Sequence, residues 1–337
     1  MVGQVIPNRV WRSVALLNSS VLDLRRGEGV VSEYKFTEFA GLKDNSTFAL
    51  LQERHPDLSQ ADIEWALTHP YQIFTLWKAS QLVGVAGVHV YPHLSDTKRA
   101  WIHDWGTMDN SKDNPESFGL KSVLITNLRN QCLSAQCSEL AIHVPVDNAI
   151  ENQFFLQEAG QPFALVYQWT SSSWLQISEQ QLAEQQISEQ TVPNTHFQCR
   201  ELKTLEDVAS GLPLLKHFHP MVTQATLTDA IGHAIGKNYR VFGPWVNEQL
   251  CSIATLIHYP HLKNGLCVWL QDGMTLPTKQ YKETASSLFS YVMNACFRSG
   301  SPTVTVHAKV SNKRIHRFYE AAGGQRIANA YKWRTIP

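Results

Sequence analysis

Apolar residues alternate with period two from Thr303 to Val310 and again from Ile327 to Trp333. Between these stretches Ile315, Phe318, Tyr319 and Ala322 fall on one helical face, so the pattern predicts a strand, a helix and a closing strand. Asn312 stands where the helix needs an N-cap, and Gly323-Gly324 stand where it must stop. Lys313, Arg314 and Arg317 on that helix are balanced only by Glu320, which leaves it basic.

Upstream, the stretches 33–39, 71–78, 82–91, 99–108, 139–144 and 162–170 read as strands. Segments 46–54, 60–69, 120–136 and 148–159 predict helices, and Ala79-Ser80-Gln81 joins a hairpin. From residue 196 the same order returns, with its hairpin strands at 239–246 and 249–259.

The return is visible residue by residue. Tyr91-Pro-His-Leu94 recurs as Tyr259-Pro-His-Leu262, and Trp101, Asp104 and Thr107 recur as Trp269, Asp272 and Thr275, each pair 168 apart. His143, Asn148, Phe154, Gly160, Tyr167 and Trp169 match His307, Asn312, Phe318, Gly324, Tyr331 and Trp333, each pair 164 apart. Two near-constant offsets mark a tandem duplication.

This order of elements, with Asn-x5-Phe-Tyr-Glu-x2-Gly at 312–323, resembles the GNAT N-acetyltransferase fold in both copies, over about residues 33–337. The resemblance implies an α/β (α+β) protein of two tandem GNAT-like domains, each a mixed, mostly antiparallel twisted sheet flanked by helices. The expected division is an extension at 1–32, a degenerate domain at 33–170, a Ser/Gln/Glu-rich linker at 171–195 and a catalytic domain at 196–337.

The resemblance also implies chemistry: transfer of an acyl group, acetyl from acetyl-CoA in the first instance, to the amine of a small molecule. In the family a Gln/Arg-x-x-Gly-x-Gly/Ala loop holds the coenzyme A pyrophosphate on helix N-terminal N–H groups. The second copy has Gln280-Tyr-Lys-Glu-Thr-Ala285, with Glu283 where the first glycine belongs; the first has Glu116-Ser-Phe-Gly-Leu-Lys121 and keeps Gly119 alone. A carboxylate beside a pyrophosphate costs binding energy. The implied cofactor contacts are Met274, Gln280, Lys282, Thr284, Ala285 and Asn312, although Asn312 is equally explained as a plain N-cap.

Tyr319 matches the family's acid, which protonates the leaving thiolate; its counterpart Phe155 has no proton to give, so catalysis is expected in the second copy. Asp272 is the expected base, with Glu248 and His307 behind it, while the shared Asp104/Asp272 position is also consistent with a common turn. Trp269, His261 and His219 are the expected acceptor-side residues.

Composition narrows the alternatives. Lys plus Arg and Asp plus Glu number 29 each, so the net charge is zero, which argues against a nucleic-acid surface. No apolar run approaches a bilayer span and the first residues lack the order of a signal peptide, so a cytoplasmic protein is expected. The six cysteines form no CxxC pair, and the histidines show no metal-ligand spacing, so no metal is expected. Gly232-His-Ala-Ile-Gly-Lys-Asn238 is one residue short of a P-loop and ends in Asn. Two other readings remain: a non-catalytic binding module, and a transferase whose donor is a long-chain acyl group or acyl carrier protein.

Overall fold

The computed structural model describes residues 33–39, 45–54, 56–68, 71–93, 97–108, 115–176, 198–218, 220, 223, 225, 239–246, 249–262, 265–276 and 281–335. The extension at 1–32, the Gln/Glu-rich stretch from 177, the 232–238 segment, Gln280, Glu248 and His219 lie outside the described residues, as does the side chain of Asp272.

The first copy runs β1 (Tyr34–Glu38), α1 (Asn45–Arg54), α2 (Gln60–Leu67), β2 (Tyr71–Lys78), β3 (Gln81–His93) and β4 (Thr97–Thr107). It continues with α3 (Pro115–Ser134), β5 (Cys137–Pro145), α4 (Ala149–Gln157) and β6 (Gln161–Thr170). The second runs β7 (Gln198–Leu202), α5 (Leu205–Ala209), α6 (Leu212–Phe218), β8 (Tyr239–Val246), β9 (Gln249–Leu250) and β10 (Ser252–His261). It ends with β11 (Gly265–Thr275), α7 (Tyr281–Arg298), β12 (Thr303–Lys309), α8 (Lys313–Ala321) and β13 (Gln325–Arg334). The order read from the sequence is present twice.

Three local readings change. The long helix of the first copy starts at Pro115, so Glu116–Lys121 is helix rather than loop; proline suits a first turn because its missing N–H has no partner to lose there. The strand at 249–259 is broken at Cys251, whose N–H donates to Pro244 O (3.1 Å) and whose carbonyl accepts from Leu276 N (3.0 Å). The strands expected to end at Tyr91 and Tyr259 run on instead to His93 in β3 and His261 in β10. Among the described residues β10 pairs with β8 over Ala254–Ile257, short of Pro260.

The chain forms two compact bodies. Among the described residues, one takes those within Met1–Val90, Arg99–Ala141 and Trp333–Pro337, and its strands run in the order β1-β2-β3-β4-β5. The other holds Tyr91–Lys98 and Ile142–Lys332, with the order β13-β6-β12-β11-β10-β8-β7 and β9 beside β8. Within it β11 and β12 pair in parallel; β7/β8, β8/β10, β10/β11, β12/β6 and β6/β13 are antiparallel.

By sequence β6 belongs to the first copy, yet it lies between two strands of the second. It pairs with β12 from Thr303↔Thr170 to Lys309↔Ala164, and with β13 from Gln325↔Gln168 to Lys332↔Gln161. The repeated strands β6 and β13 show the same order of buried and exposed positions along their lengths. Period-two patterning therefore tells which side chains are buried, but not which edge the strand joins.

Trp169 on β6 fixes the end of α8. Its indole N–H donates to Ala322 O (2.8 Å), satisfying a carbonyl that the helix leaves unpaired, and the ring is fully buried. Gly324 has no side chain because a Cβ there would stand 2.4 Å from Trp169 Cζ2. Residues 171–176, read as the start of the linker, form a helical turn that buries Trp174, whose indole N–H donates to Asn294 Oδ1 (2.9 Å). Gly324→Ala is expected to destabilise the chain by about 1–3 kcal/mol through overpacking, and Trp169→Ala by about 3–5 kcal/mol. Urea unfolding midpoints measure both.

Candidate active site

Parallel pairing of β11 with β12 covers only Val268↔Val304, Trp269↔Thr305 and Leu270↔Val306. Beyond that point β12 keeps β6 as its neighbour through Lys309, while β11 keeps β10 through Thr275. The two strands part. The parting coincides with a bulge: Thr255 pairs with Asp272 and Leu256 with Leu270, so Gln271 is one residue too many. A bulge raises local twist and bends its strand, which turns β11 away from β12. Both polar atoms of the Gln271 side chain are buried there with no hydrogen-bond partner among the described residues.

A cleft of about 500 Å³ opens beside the parting. Leu270, Gly273, Met274 and Thr275 of β11 line it, with Ser252 and Ala254 of β10 beneath and the first turns of α7 and α8 above. Its lining is apolar and buried at Ala254, Leu270, Leu288, Phe289 and Val292. Its rim is cationic, from Lys282 on α7 and Arg314 and Arg317 on α8, all exposed, and among the described residues no acidic side chain lines it. On α7 the lining positions are 282, 285, 286, 288, 289 and 292, so Glu283, one residue after Lys282, is carried about 100° round the helix and out of the lining. The carboxylate that weakened the sequence motif therefore faces elsewhere.

Tyr319 lies in the cleft wall, 6% exposed. Its ring is held by Trp169 (5.6 Å between centroids, edge-on), Phe289 (5.8 Å) and Tyr167 (5.7 Å), so β6 sets its position from below. Phe155, its counterpart, is fully buried against Tyr331 (5.9 Å). Tyr167 donates to Glu320 Oε1 (3.1 Å), and burial with that carboxylate pushes its phenol up to about 12. Asn312 caps α8 by accepting from Ile315 N (3.2 Å) and also lines the cleft; its twin Asn148 caps α4 through Glu151 N (3.1 Å).

Among the residues expected from the sequence, Met274, Lys282, Ala285, Asn312 and Tyr319 are brought together in this cleft. Thr284 is buried and outside the lining. Trp269 is also outside it: its ring packs on His307 (4.5 Å) and Tyr91 (5.2 Å). His261 ends β10, partly buried. Arg314, Arg317, Ser286 and Phe289 were not singled out for the site; the excess of base on α8 was the available signal for the arginines. Among the described residues no group of three or more His, Cys, Asp or Glu is placed to hold a metal ion, and no helix is long and apolar enough to cross a membrane.

His143 and His307, twins in the repeat, meet at 2.6 Å between their Nε2 atoms. Desolvation, and secondly the charge of His261, hold His143 down to about 3. A folded-state value below the unfolded one near 6.5 means that between these limits the unfolded chain binds more protons at this position. Stability from this group is therefore present above pH 6.5 and is lost as pH falls toward 3. Denaturation curves across that window are expected to show the loss, and His143→Gln to flatten its slope.

No protein-family pattern and no curated protein matches the chain. Solved structures do. A tandem GNAT protein from the clavulanic acid biosynthesis pathway aligns at TM-score 0.53 and 11% identity, over 90% of this chain and 99% of that one. A GCN5-related N-acetyltransferase from Sphaerobacter thermophilus aligns at 0.53 and 11%, over 92% and 98%. A glucosamine N-acetyltransferase region of a fungal multi-domain β-N-acetylglucosaminidase aligns at 0.53 and 10%, over 89% of this chain and 37% of that one. The chain has the tandem GNAT fold.

Proposed function

We propose that the protein is an N-acyltransferase that moves an acyl group from a coenzyme A thioester to the amine of a small molecule, with its chemistry in the second copy. The observation that carries this reading is the apolar cleft with a cationic rim at the parting of β11 and β12, with Tyr319 in its wall. The residues present suit such a donor. Lys282, Arg314 and Arg317 supply charge for phosphates, and the α7 N-terminus adds its dipole. The edge of β11 from Gln271 to Thr275, having left β12, offers backbone N–H and C=O groups to an extended amide-bearing arm as an added strand would use them. The same edge offers an N–H to the thioester carbonyl, where negative charge develops.

Tyr319 is assigned as the acid that protonates the departing thiolate. Asp272 on β11 is the first candidate to take the ammonium proton, with Glu248 and His307 on β12 behind it, and Trp269 and His261 are assigned to the acceptor side. The solved relatives named as acetyltransferases support acetyl as the first donor to test.

Calorimetric titration with acetyl-CoA is expected to show binding that weakens with salt. Arg317→Ala is expected to weaken it roughly three- to tenfold, as for loss of one exposed charged hydrogen bond. Thiol release against a panel of primary amines is expected to fall about 10²–10⁴-fold in Tyr319→Phe with binding unchanged. Acetyl-CoA binding without turnover on any amine, together with a response to acyl carrier protein, would move the donor; no binding of either would remove the transferase reading.

A further inference from the structure

The contact between His143 and His307 has a use that duplication alone does not explain. The rings meet edge-on, 88° between planes and 4.9 Å between centroids, so one Nε2–H points at the other ring's lone pair. His307 follows Val306, the last β12 residue paired to β11. Val306 and Ala308 belong to the core packed with α7 and α8, so alternation turns His307 to the opposite face of the sheet, beside Trp269. The pair thus stands at the parting of the strands, on the side away from the donor cleft.

Resting on the acyltransferase reading, we propose that His307, hydrogen-bonded to His143 of the first copy, takes the proton from the attacking ammonium, and that His143 is its positioning residue. The N–H bond of the ammonium breaks and its electrons stay on nitrogen; the proton goes to the imidazole pair. The nitrogen lone pair forms the C–N bond as the C–S bond breaks. Tyr319 gives its proton to the thiolate and is restored by the second proton leaving the nitrogen. One proton is released overall, from the pair to solvent. His143 stays neutral throughout, because desolvation resists its charging and His261 repels it. Among the described residues, His261 on β10, whose charge acts on His143, and Lys332 on β13, whose ammonium lies 5.2 Å over Phe163 beside His307, are the charged or titratable groups near the pair on neighbouring strands. The charge of His261 opposes a second positive charge on the pair.

The experiment combines ¹⁵N-histidine NMR titration of the full chain with pH profiles of thiol release from acetyl-CoA on the amine panel. One proton taken up by the pair is expected, with His143 remaining neutral. His307→Gln is expected to lower kcat about 10²–10⁴-fold without changing acetyl-CoA affinity. His143→Phe, which removes the acceptor, is expected to move the acid limb of kcat/KM by about one unit to lower pH, while His143→Gln, which keeps one, restores it. Two imidazoles titrating independently near their ordinary value, or an acid limb unmoved in His307→Gln, would overturn the proposal while leaving the transferase reading intact. A parent chain that binds and turns over no thioester would overturn both.

Discussion

The structure depends on a ladder that stops. Parallel pairing between β11 and β12 ends at Leu270↔Val306, and everything ascribed to the site follows from the backbone groups and space released there. Two strands cannot diverge inside a packed sheet unless each keeps its other neighbour, since buried N–H and C=O groups left without partners are costly. Here β10 holds β11 and β6 holds β12 through the region of divergence. The bulge at Gln271 supplies the bend, and α7 and α8 roof the gap with apolar side chains.

The role of β6 gives the duplication a physical meaning. A strand encoded in the first copy supports β12, buries Trp169 under the end of α8 and places Tyr167 against Tyr319. The candidate acid is thus positioned by residues from both copies, and the histidine pair repeats the theme on the other face. The first copy, lacking a phenol at Phe155, is needed by the second as part of its fold.

The sequence made the element order legible because each element carries its own period and punctuation: alternation in β12, the 315, 318, 319, 322 face of α8, and glycine at 323 and 324. Asn312 and Tyr319 were legible for the same reason, since both follow from one helix. The insertion of β6 between β12 and β13 was not, because alternation fixes a strand's faces and leaves its partner to tertiary packing. Nor was the escape of Glu283 from the cleft, which depends on where α7 begins: a helix starting at Tyr281 turns Lys282 inward and its neighbour out. The meeting of His143 with His307 was hidden by 164 residues of separation, although the repeat had paired them by position.

Amide hydrogen exchange along β11 tests the central claim most directly. Amides from Gln271 to Thr275 whose partner was to be β12 are expected to exchange fast in the free chain and to slow on addition of acetyl-CoA, while those between Val268 and Leu270 stay protected throughout. Slow exchange over the whole strand in the free chain, or fast exchange unaffected by the thioester, would contradict the account.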